Sequence, residues 1–150
     1  MKTEIVSIIA TMLTSIAAMV ITYALSVKEI RNTNKLAKLQ AENFFLAEYT
    51  KRYQNIILSM PDEVFDGTAI INGTTLKYLK LYFDLCNEEY NIYHKGLIPD
   101  QVWNNWMEGM RITTNIQLYK RGWKRLSGDY NKDFYLFFEH EIINYNPILQ

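Results

Sequence analysis

The sequence predicts an all-α protein, with an N-terminal transmembrane helix continuing into a small antiparallel helical bundle of four to five helices. Three observations carry that prediction. Residues 5–27 hold no charged side chain, apolar residues further on recur at spacings of three and four, and no segment alternates with period two long enough for a strand. With 6 Gly and 3 Pro in 150 residues, breakers are too few for a many-turned β architecture.

The first stretch is IVSIIATMLTSIAAMVITYALSV, 23 residues. As a helix it rises about 34 Å, enough for a hydrocarbon layer of about 30 Å. Its Thr and Ser hydroxyls are tolerable because they bond back to carbonyls one turn earlier, and Tyr23 stands near one end, where an amphipathic ring suits the interface. A cleavable signal peptide needs a shorter apolar core, and Ser15, Ala17 and Ala18 offer it only a weak cleavage site. A buried core helix of this length would seldom stay uncharged, and an organellar targeting peptide would carry Arg, which is absent before Arg31. The expected division is therefore 1–27 as anchor and 28–150 as a helical domain.

Orientation follows from the flanks. Lys28, Arg31, Lys35 and Lys38 follow the stretch, opposed only by Glu29, whereas Lys2 and Glu4 precede it. The side richer in Lys and Arg belongs in the cytoplasm. The expectation is a single-pass protein of the inner cell membrane with its N-terminus outside, the four cations resting on anionic headgroups of the bilayer.

Beyond Lys28 the helical pattern runs on to about Met60, with Leu46, Tyr49, Tyr53, Ile56 and Met60 on one stripe, and Pro61 ends it. Residues 61–73 read as a connection. Asn72-Gly73-Thr74 also matches a glycosylation acceptor, which the expected topology hides from the glycosylating enzymes. Thr74 or Thr75 caps a second helix to about His94, on the stripe Leu76, Leu79, Phe83, Cys86, Tyr90 and Tyr93, with Gly96 as C-cap. Pro99 and Asp100 open a third, with Val102, Trp103, Trp106, Met107 and Met110 on its apolar face. Thr113 and Thr114 interrupt it and cap a segment to about Leu126. Asp129 or Asn131 then starts a last helix carrying Phe134, Phe137, Phe138 and Ile142, closed by Pro147.

Composition narrows the chemistry. Sixteen Lys and Arg balance 16 Asp and Glu, so the chain as a whole is no polyanion binder and nucleic acid is not an expected partner. The single Cys86 excludes an intramolecular disulfide and a multi-Cys zinc site, and its place on an apolar stripe reads as a small buried hydrophobe. Asp84 and Glu88 share a helix face beside Glu89, as paired carboxylates for metal or acid–base work would. No Glu has a His three residues on, as a bundle di-iron site requires, and a solvated face explains all three acids. His94 suits a helix C-terminus, and Glu139-His140-Glu141 spreads around its helix instead of converging. There is no Gly-x-Ser-x-Gly and no phosphate-cradling Gly-rich loop. No catalytic residue, metal site or cofactor is expected. Lys120, Arg121, Lys124 and Arg125 around Trp123 form the most suggestive cluster. It would meet anionic lipid or an acidic partner, against the plainer reading of an exposed face with Trp123 turned inward.

Tyr82-Phe83 with Leu85, Glu89-Tyr90, Gly96-Leu97-Ile98 and Val102-Trp103-Asn104-Asn105-Trp106, followed by Trp123 and the Phe134–Phe138 aromatics, give the chain a resemblance. Over less than half its length it resembles a family of small uncharacterised bacterial proteins with an N-terminal membrane helix and a helical domain. The resemblance implies a bacterial or prophage setting and brings no catalytic residue.

The functional expectation is a membrane-anchored, non-enzymatic interaction domain that binds a protein partner or forms a homo-oligomer through its helical faces. The alternative is a membrane-acting effector or toxin whose span oligomerises, and a third, weaker reading is a hydrolase built on Asp84, Glu88 and a histidine.

Overall fold

In the computed structural model, the backbone is described for residues 2–145 and the side chains for residues 14–145. The chain divides into two compact units, Met1–Ala41 and Glu42–Gln150. Every element among the described residues is helical.

Helix α1 spans Lys2–Ser59, 58 residues. It runs so far because no Gly or Pro interrupts the sequence between its ends, and Pro61, with no N–H to donate, stops it. The first unit is the front of this helix alone.

The membrane-spanning expectation needs correction. Among the described residues no helix is long and apolar enough to cross a membrane, so the span expected over residues 5–27 is not found there. Among the described side chains the apolar run from Thr14 to Val27 is followed at once by Lys28, Glu29 and Arg31, which lower the hydropathy of that part of the helix. Residues 5–13, like the flanking Lys2 and Glu4, lie outside the described side chains. The inside–outside orientation rests on that span alone.

In the second unit, Pro61 leads into the single turn α2, Asp62–Phe65. Helix α3 covers Gly73–His94. Its cap is Asn72, whose side chain accepts from the Thr75 amide at 2.9 Å, and not Thr74 or Thr75. Asn72 has the extended backbone a cap requires, while Thr75 is buried and donates its hydroxyl to the Ile70 carbonyl at 2.8 Å. At the other end Gly96 adopts φ 68°, the left-handed value that favours glycine. There the Leu97 amide donates to the Ile92 carbonyl at 3.1 Å and the Gly96 amide to that of Tyr93 at 2.8 Å.

Helix α4, Asp100–Thr114, starts behind Pro99 as expected. Thr114 does not cap the next helix. It is buried and returns its hydroxyl to the Met110 carbonyl at 2.8 Å. Helix α5 covers Gln117–Leu126, followed by a 3-10 turn at Ser127–Asp129. Helix α6, Lys132–Phe137, is capped by Asn131 and widens into a π-turn at Phe138–Ile143. Pro147 lies outside the described residues. The described residues thus form six α-helices, one a single turn, where four or five were expected.

Helix α3 packs on α4 and α5, and α4 also meets the π-turn. The core between them is aromatic. Trp123 lies 5.2 Å from Phe83 and 4.4 Å from Phe138, centroid to centroid, and 5.9 Å edge-on from Phe134. Such pairs add about 0.5–1.5 kcal/mol each beyond area burial, which lets a small unit hold together. Gly122 is what brings α5 close to α3, since a Cβ there would run into Leu79 Cδ1.

Candidate functional site

Three helices of the second unit each turn a short row toward one cavity. From α1 come Tyr49, Thr50 and Tyr53; from α3, Tyr82, Leu85 and Glu89; from α4, Asn105, Trp106, Gly109 and Met110. Within each row the spacings are one, three or four, which sets the side chains on one side of a helix. The space enclosed is about 230 Å³ and partly open.

The acid in this wall is the unusual member. Glu89 is only 7% exposed, and among the described residues no hydrogen bond or ion pair reaches its carboxyl. Burial raises its pKa from the ordinary 4.5 to about 8; Arg52 opposes that rise and Glu88 adds to it. At neutral pH the folded protein holds Glu89 mainly as the neutral acid.

Its sequence neighbour is in the opposite state. The Arg52 guanidinium grips Glu88 with both arms, Nη1 to Oε2 and Nη2 to Oε1, the second at 3.0 Å. That donation holds the Glu88 carboxyl below its usual range. Tyr49 adds its hydroxyl to Glu88 at 3.4 Å and lies with its ring 5.4 Å under the Arg52 guanidinium. Arg52 is thus committed to Glu88.

The acidic trio expected on one solvated face is therefore split. Asp84 accepts from the Tyr130 hydroxyl at 2.9 Å and from Lys80 at 3.2 Å, tying the 3-10 turn region to α3. Glu88 is half-buried in its ion pair, and Glu89 is inside. The signal for Glu89 was present: it falls seven residues after Tyr82 and three after Cys86, on the buried side of α3. Cys86 is buried as expected, and burial pushes its thiol well up.

The histidines stay apart from these acids. His94 Nδ1 lies 2.8 Å from the Tyr90 carbonyl, and its ring lies tilted, 4.0 Å from that of Tyr90 centroid to centroid. His140 is exposed, while Glu139 beside it accepts the Trp123 indole N–H at 2.7 Å. Among the described residues no group of three or more His, Cys, Asp or Glu is placed to hold a metal ion.

Of the expected basic contacts, Lys28, Arg31, Lys35 and Lys38 all lie exposed on α1. On α5, Arg121, Lys124 and Arg125 are exposed and Lys120 is half-buried, while Trp123 between them is turned into the core, as the plainer reading had it. None of these α5 cations is brought to the cavity.

No known protein family, no curated protein and no solved structure matches this chain.

Proposed function

We propose that this chain is a non-enzymatic helical interaction protein that self-associates through residues 14–41 of α1, helix against helix. One observation supports this most: apolar side chains of that segment are left in the open. Ile30 is 59% exposed, Leu36 57% and Leu39 47%, with Ile16, Met19, Ile21, Tyr23 and Leu25 similarly bare. At 3.6 residues per turn, Ile16, Met19, Tyr23 and Ile30 follow one side, and Ile21, Leu25, Leu36 and Leu39 the opposite one. A helix standing alone is marginal in water and is stabilised by packing an apolar face. Other copies of the same helix supply such faces on both sides without a second protein. The interleaved Lys28, Arg31 and Lys35 stay available for an acidic surface. An effector reading has no comparable support, because it requires the membrane span.

The test is sedimentation of the full chain beside a Leu36→Lys/Leu39→Lys variant. The wild type is expected at a multiple of the chain mass and the variant at or near a single chain, with helical circular dichroism kept for the second unit. A wild type that sediments as one chain at all concentrations overturns the reading.

A further inference from the structure

The cavity in the second unit goes beyond that interaction reading. Its wall is aromatic on all three helices, with Tyr49 and Tyr53 from α1, Tyr82 from α3 and Trp106 from α4. Set into the rings is one carboxyl, Glu89, 7% exposed and with no hydrogen bond or ion pair among the described residues. No Lys or Arg lines the space, and the cation beside it, Arg52, is occupied by Glu88. Among the described residues no fully buried side-chain oxygen or nitrogen lacks a hydrogen-bond partner, so the unbonded Glu89 carboxyl oxygens open onto the cavity, where a cationic guest would meet them.

The wall also selects the ligand. An anion would meet the Glu89 carboxyl and no Lys or Arg in the wall to hold it. A metal ion would want several oxygen, nitrogen or sulfur donors, and no such group is gathered among the described residues. A neutral apolar guest would leave the carboxyl unpaired. An organic ammonium group answers both features, because its N–H donors meet the carboxylate while its charge and carbon atoms rest on aromatic rings. The volume of about 230 Å³ falls below the roughly 300–1,000 Å³ of pockets for drug-sized molecules, so the guest is small.

We infer that the cavity bounded by Tyr49, Tyr53, Tyr82, Trp106 and Glu89 is a binding site for a small organic cation, an alkylammonium group held by the Glu89 carboxylate against the rings. The group is either a free alkylamine or the end of a lysine side chain on another protein.

Binding is coupled to a proton. The ionisable groups around Glu89 are Glu88, Cys86 and Tyr82 on its own helix, Arg52, Tyr49 and Tyr53 on α1, and Tyr119 of α5, packed edge-on against Tyr82. Helix α4 contributes no ionisable group to the wall. Burial raises the thiol and all four phenols, and Glu88 is held ionised by Arg52. That leaves Glu89 as the group titrating between pH 6 and 9. A cation that needs its carboxylate therefore displaces a proton below a pH of about 8, and its apparent affinity rises about tenfold per pH unit up to that point, then levels.

The experiment is calorimetric titration of the full chain with n-butylammonium chloride, with 1-butanol as the neutral comparison and Nα-acetyl-lysine amide as the side-chain probe. The expected result is saturable binding of the cations and none of butanol. Affinity should be about 100-fold higher at pH 9 than at pH 6, with proton release at pH 7 seen as a heat that depends on the buffer. Glu89→Gln should lose tenfold or more at pH 9. Trp106→Leu, which leaves the acid in place, should weaken binding several-fold yet keep the pH dependence, so the inference stays testable if the first variant does not fold. Tighter binding of the lysine amide than of butylammonium assigns the natural group to a protein side chain, and the reverse assigns it to a free amine. Butanol binding as well as butylammonium, no saturable heat with either cation, or an affinity flat from pH 6 to 9 overturns the inference.

Discussion

Replacing Glu89 by Gln should make the protein more stable at alkaline pH and leave it nearly unchanged in acid. The wild-type carboxyl has its pKa raised by burial from 4.5 in the unfolded chain to about 8 in the folded one. Below the unfolded value both states carry the proton, and Glu89 then adds no pH dependence. Between the two values only the folded state holds it, so stability falls by about 1.4 kcal/mol for each unit that pH rises. Above about 8 both states are ionised and the loss is complete. Integrated over the window, the loss is on the order of 5 kcal/mol. Gln resembles the protonated acid in shape and has no proton to lose. Urea unfolding of wild type and Glu89→Gln at half-unit pH intervals isolates this group, because the remaining titrations are common to both. The two curves should meet near pH 4.5 and diverge by several kcal/mol by pH 8. Curves that run parallel across the range would refute the burial of Glu89 in its neutral form.

Packing and reactivity set three further outcomes. Gly122→Ala should cost about 1–3 kcal/mol in denaturant unfolding, because its Cβ meets the fully buried Leu79. Gly109→Ala, inside α4 with nothing within 4 Å of the added carbon, should instead gain about 0.4–1 kcal/mol. Trp123→Phe should lose about 1–3 kcal/mol by thermal unfolding, from the cavity left in the core and from the Glu139 carboxylate deprived of its indole donor. Cys86 should resist alkylation by iodoacetamide in the native protein and react fully in denaturant, because burial both covers its thiol and raises its pKa; rapid native labelling would contradict its burial.

Local chemistry was the legible part of this sequence. Pro61 stopping α1, Pro99 opening α4 and Gly96 closing α3 each follow from one residue's backbone freedom, and the structure keeps all three. The inward turn of Trp123 and the burial of Cys86 follow from helical periodicity. Periodicity identifies a face without naming what covers it, and the misreadings lie there. Sequence adjacency groups Glu89 with Asp84 and Glu88, although its spacing from Tyr82 and Cys86 places it among buried residues. The Arg52–Glu88 pair joins positions 36 apart, which no local pattern relates. The cap of α3 falls to Asn72 because Thr75, equally able to cap, is drawn inward to Ile70. The charge-free stretch meets a length criterion as sequence that the described part of α1 does not meet.

Self-association through the front of α1 is tested most directly by intermolecular distances. A nitroxide on Thr33→Cys, an exposed position in a chain whose own cysteine is buried, reports on that segment alone. Pulsed dipolar spectroscopy of the labelled chain should give a defined spin–spin distance that vanishes on dilution with excess unlabelled protein. A featureless background decay, unchanged by that dilution, would contradict the account.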